Sequence, residues 1–176
     1  MKTNAGRLAV LASTLLPFSA AFAGNMTLVL DGIPAVQVSG FDNGISNAGS
    51  IASGGGGGAG KAVLKDFNFR ATQSSASPTL FRYVAEGRHI QSGSLQVRSS
   101  DGTRLVSEWA FNDAQLTAFN VANGDLDPKS KTGDMFLTPE TSFSLAFGKV
   151  CYRVYASDGT TVATEACWNV ATNTGS

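Results

Sequence analysis

The sequence has one histidine, two cysteines and no cluster of basic residues in 176 positions, and each scarcity removes a class of function. A single imidazole, His89, cannot supply a two-histidine metal site, and no nucleophile and acid stand out that would complete a triad around it. It lies in Glu86-Gly87-Arg88-His89-Ile90 and reads as a residue at a helix end or strand entry. Charged residues make up 15%, thirteen basic against thirteen acidic. Phosphate binding needs a clustered basic surface, so nucleic acid is not expected as a partner.

Long apolar runs are also missing. The first, residues 8–18, is interrupted by Ser13, Thr14 and Pro17 and falls short of the about 20 residues that cross a bilayer as a helix. Lys2 and Arg7 precede it and Ala21-Phe22-Ala23 follows it, which is the order of a secretory leader: charge, apolar core, small-x-small cleavage site. Residues 1–23 are therefore expected to be a signal peptide cut between Ala23 and Gly24, with the product periplasmic or extracellular. No later run is long enough to span a membrane. Removing 23 of 176 residues leaves 153, with 11 basic against 13 acidic side chains, a size that suits one domain over residues 24–176.

Three near-motifs fall short of their chemistry. Gly55-Gly56-Gly57-Gly58-Ala59-Gly60-Lys61 has the spacing of a phosphate loop, but Ala62 stands where a magnesium-binding Ser or Thr belongs, and Val63 onward reads as strand rather than helix. Asp125, Asp127 and Asp134 lack the ligand spacing and final glutamate of a calcium loop. Asn25-Met26-Thr27 fits a glycosylation acceptor but sits two residues from the expected cleaved end. No catalytic set, cofactor or metal is expected, and the chain does not read as an enzyme.

The two cysteines, Cys151 and Cys167, flank two β-like runs joined by Ser157-Asp158-Gly159-Thr160, a hairpin signature. A three-residue loop over residues 158–160 sets a register that places Cys151 directly opposite Cys167, close enough for a disulfide; a two-residue loop would offset them by one. In an exporting compartment the pair is expected to be bonded, the alternative being two separate buried thiols.

Elsewhere the period is two. Short β-like runs at Met26-Thr27-Leu28-Val29-Leu30 and Val36-Gln37-Val38 flank the turn Asp31-Gly32-Ile33-Pro34. Val63, Phe67 and Phe69 are expected on one strand face, with Asp66, Asn68 and Arg70 on the other. Leu95 and Val97, then Leu105, Trp109 and Phe111 beyond the turn Ser100-Asp101-Gly102-Thr103, continue the pattern. Phe143, Leu145 and Phe147 alternate with Ser142, Ser144 and Ala146, which leaves Ser142 and Ser144 as outward positions for a subunit interface. One helix is expected: Ser77 as N-cap, Pro78 at the first position, an apolar stripe of Leu80, Phe81 and Val84, and Gly87 at the end. Residues 43–60, with five consecutive glycines at 54–58, read as a Gly-rich loop, and residues 122–134 as an exposed polar loop. Many short antiparallel strands with one short flanking α-helix indicate a mostly β fold, a small closed or nearly closed barrel.

The block Asp66-Phe67-Asn68-Phe69, Ser77-Pro78-Thr79-Leu80-Phe81 and Gly87-Arg88-His89-Ile90 resembles the core signature of the Hcp family, the tube proteins of type VI secretion. Ser142 to Val150 resembles that family's late strand, Trp168-Asn169-Val170 its closing segment, and Met26 to Gly32 its opening strand, in the same order. The resemblance implies a small β-barrel that assembles into a homo-hexameric ring, with secretion-machine components or cargo proteins as further partners and no catalytic residues. Two features depart from it: tube-building members are expected to lack a signal peptide, and a Gly-rich loop is added at Gly54. An exported Hcp-like structural protein is the leading expectation. A monomeric exported module, recognising a surface glycan or protein through the loops near Gly54 and Asp125, is the other.

Overall fold

The computed structural model describes residues 25–47, 61–122 and 139–176. The expected leader with Ala23 and Gly24, the glycines 54–58 and Asp125, Asp127 and Asp134 lie outside the described residues. Along the chain run β1 (Met26–Leu30), β2 (Ile33–Gln37), β3 (Gly40–Asp42), β4 (Ile45–Asn47), β5 (Ala62–Leu64), β6 (Phe67–Thr72), α1 (Ser77–Glu86), β7 (His89–Arg98), β8 (Leu105–Ala122), β9 (Glu140–Tyr155), β10 (Val162–Asn169) and β11 (Thr174–Gly175).

All pairings are antiparallel. The main sheet runs β11-β10-β9-β8-β7-β1-β2, and β6 joins β9 to β3. The circuit is completed where the chain leaves β2: Val38 donates its N–H to Met26 O of β1, and Ser39 donates to Arg70 O of β6. One segment thus changes partners and brings the strands round into a barrel, which leaves fewer exposed edges than an open sheet would. Long β9 serves two neighbours in succession on one edge, β6 along residues 140–145 and β10 along residues 149–155.

The strands form where alternation can bury one face. In β6 Phe67, Phe69 and Ala71 are buried and Asn68, Arg70 and Thr72 exposed. In β9 Thr141, Phe143 and Leu145 face the core, and Thr141 satisfies its buried hydroxyl on Ala71 O at 3.0 Å. Phe111, Leu116, Leu95, Ile90, Leu28 and Leu30 supply the opposite walls. Val63 departs from the expected face: β5 pairs with β4 in a separate two-stranded ribbon, and Val63 is 56% exposed. The first residues of the expected glycine loop are therefore a paired stem, Ile45 opposite Leu64.

Helix α1 packs on β8 and β2 and ends, as expected, on Gly87 in the left-handed region at φ 60. Its start differs. Ala76 occupies the N-cap, and the Ser77 hydroxyl accepts the N–H of Ser74 instead of capping the helix. The inward stripe is Leu80 and Tyr83, and Phe81 turns outward, 60% exposed, edge-on to Phe119.

At Gly93 the absent side chain is a packing requirement. A Cβ there would lie 2.4 Å from Leu30 Cδ2 and 2.7 Å from the Val29 carbonyl oxygen. Since backbone cannot give way as a flexible side chain can, Gly93→Ala is expected to destabilise by about 1–3 kcal/mol. A urea titration followed by circular dichroism checks this; an unchanged midpoint would show that β1 and β7 separate freely.

Candidate assembly surfaces and the disulfide arm

Cys151 and Cys167 are directly opposite in the β9–β10 ladder and joined, with S–S 2.06 Å. The backbone favours this pair. Cys167 exchanges both its main-chain bonds with Ser176 on its other side, so across to β9 it forms a non-hydrogen-bonded pair, the kind in which side chains come closest. The turn is not the expected three-residue loop. Ala156 N–H donates to Thr161 O, Tyr155 pairs with Val162, and a bulge between Val162 and Thr164 restores the register that seats the cysteines together. Asp158 anchors the turn by accepting from Thr160 N, Thr161 N and Thr161 Oγ1. These bonds, the Thr161 hydroxyl first, hold its carboxyl below the usual carboxylate range.

Beside the cysteines runs a row of charge. Arg153 lies opposite Glu108 on β8 and Glu165 on β10, donating through Nε to Glu165 Oε2 and through Nη1 to Glu108 Oε2. Tyr155 Oη also donates to Glu108 Oε2, at 3.1 Å. Burial, then this bond, pushes the Tyr155 phenol above its ordinary value, and the Glu165 bond raises Arg153. The sequence reading missed this network, although the register that pairs Cys151 with Cys167 also pairs Arg153 with Glu165.

The opposite face of the same arm is apolar. Trp109 stacks on Tyr152 at 4.2 Å, and these two, with Trp168, Ile45 and Leu64, line a groove of about 230 Å³ under the β4–β5 ribbon. The Trp168 indole N–H is buried without a partner among the described residues.

Several strand edges stay unpaired among the described residues, two of them being stretches of β8 and β10. Residues 116–122 of β8 run on past the end of β7, whose His89 meets Gln115, and carry Val121, 56% exposed. Residues 162–166 of β10 run on past the short β11, which reaches Trp168 and Asn169, and all five are exposed. Ser142 and Ser144 sit on the outer wall between β6 and β8, opposite Arg70 and Asn68, and Ser144 Oγ donates to Asn68 Oδ1 at 2.7 Å. His89 is exposed at the entry of β7, its Nε2 3.2 Å from Asp113 Oδ1. No described helix is long and apolar enough to cross a membrane.

A family model described as "Type VI secretion system effector, Hcp" matches residues 34–153. Among solved structures, the chain is similar to Hcp1 from Salmonella typhimurium, with TM-score 0.68, 20% identity, and 88% of this chain and 100% of that chain covered. A type VI secretion system effector from Yersinia pestis gives TM-score 0.63 at 21% identity, over 82% of this chain and 99% of that one. At these identities the likeness is one of fold. No curated protein matches the sequence.

Proposed function

The chain belongs to the Hcp family of type VI secretion, and from that premise we propose that it is an exported structural protein whose copies close head to tail into a hexameric ring. The observation that carries this reading is the pair of dissimilar free edges, residues 116–122 of β8 and residues 162–166 of β10. A ring needs two different complementary surfaces on each subunit, and a free edge is a template for pairing with another chain. Ser142 and Ser144 stand on the barrel wall as further contact positions. Rings that stack or enclose cargo proteins extend the same reading. Cleavage between Ala23 and Gly24, with the product in the periplasm or outside the cell, accords with the Cys151–Cys167 bond, since such bonds persist in oxidising compartments.

A second reading has its own observation. The groove of Trp109, Tyr152 and Trp168 suits a monomeric module that recognises a surface glycan or protein.

Light scattering on the purified protein separates the two. The ring predicts a particle several times the mass of one cleaved chain, which is itself below the 18.2 kDa of the full 176 residues. Ser144→Arg is then expected to split it, because an unpaired charge buried at an interface costs several kcal/mol. A stable monomer well above micromolar concentration would exclude the ring and leave the groove as the functional surface.

A further inference from the structure

We propose that, once reduced, Cys151 and Cys167 form with Glu165 a three-ligand site for a thiophilic divalent cation, zinc above all. The two sulfurs and a carboxylate oxygen lie within 4.8 Å of one another. Cys151 and Cys167 are opposite in the ladder, and Glu165 precedes Cys167 by two residues, which puts both on one face of β10. The carboxylate is already oriented. Arg153 Nε holds Glu165 Oε2, and Glu108 holds Arg153 in turn, while Oε1 faces Cys167 Sγ at 3.3 Å. A disulfide sulfur has no proton to give, so Oε1 gains no donor there; a cation held by the thiolates would satisfy it.

The donor set fits the metal. Two thiolates and a carboxylate suit tetrahedral zinc with water in the fourth position. A carboxylate ligand braced by a neighbouring group is the outer-shell arrangement that tunes such sites. The Glu165 side chain is 39% exposed, which provides a path of entry.

The chemistry runs in two balanced steps. A dithiol reductant exchanges with the cross-link, leaving two cysteine thiols and its own cyclic disulfide. The cation then binds the two sulfurs and Glu165 as two protons leave. In the reverse direction a disulfide oxidant takes two electrons from the thiolates, the S–S bond re-forms and the metal departs. Cross-link and metal thus exclude each other at one pair of sulfurs. This site does not depend on the ring.

The test is titration of the protein with cobalt(II), then zinc, after reduction by a phosphine and removal of the reductant under inert gas. One cobalt per chain is expected, with a thiolate-to-metal charge-transfer band that zinc abolishes, and none on the oxidised protein. Cys167→Ser should lose the band, and Glu165→Gln should weaken binding about tenfold or more. Far-UV circular dichroism should show the sheet intact after reduction. The proposal is overturned if reduced protein takes up no cobalt, if Cys167→Ser keeps the band, if Glu165→Gln binds as tightly as the wild type, or if reduction unfolds the sheet.

Discussion

Phe67→Ala is expected to lower stability by about 3–5 kcal/mol, the range for deleting a buried aromatic ring. Phe67 is fully buried and central to an aromatic cluster: its ring lies 4.9 Å from Phe111, 5.2 Å from Trp109, 5.7 Å from Phe147, 5.9 Å from Phe69 and 6.1 Å from Phe41. These partners come from β3, β6, β8 and β9, so truncation leaves a cavity that no single strand can fill by shifting. Domains of this kind are stable by only about 5–15 kcal/mol, and the variant should stand near the threshold of folding. Chemical denaturation read by tryptophan fluorescence measures the loss, with Asn68→Ala, on the outward face of the same strand, as the control. A loss below about 1 kcal/mol would mean that the cluster collapses around the gap.

Replacing both cysteines by alanine is expected to cost up to about 3 kcal/mol, the chain-entropy value for a loop of this size; the cysteines are 16 residues apart. The cost should fall short of that limit because the ladder from Tyr155 to Lys149 aligns β10 without the bond. Alanine is the right replacement, since Cys151 is buried and a serine hydroxyl there would need a partner. The denaturation midpoint of the variant should match that of the reduced wild type and lie below that of the oxidised protein. Equal midpoints for the oxidised and reduced wild type would show that the cross-link closes no loop the fold has not already closed.

Much of the architecture was legible because it rests on local rules. Alternation in residues 67–72 and 141–145 needs only one apolar face, Pro78 and Gly87 mark a helix by their backbone preferences, and the hairpin around Asp158 and Gly159 is signalled by its turn residues. What was misread depended on neighbours far away in the chain. Phe81 and Val63 are as apolar as Leu80 and Phe67, but the described structure leaves more than half of each exposed. Ser77 has the chemistry of a cap, yet a preceding turn claims its hydroxyl for Ser74. The cysteine register was right although the turn was wrong, because a bulge near Ala163 offset the longer loop.

The sequence by itself determined a mostly β chain with one short helix, a cysteine pair set to meet across a hairpin, and the collinear motifs that mark the family, since propensity, period and spacing act over a few residues. Only the tertiary structure decided the rest. The chain links β1 to β6 at Val38 and Ser39, Arg153 is shared between Glu108 and Glu165, Trp109 and Tyr152 stack above a groove, and stretches of β8 and β10 are left unpaired. Each of these joins strands distant in sequence, and their mutual register is set by the simultaneous packing of the whole barrel rather than by any one segment.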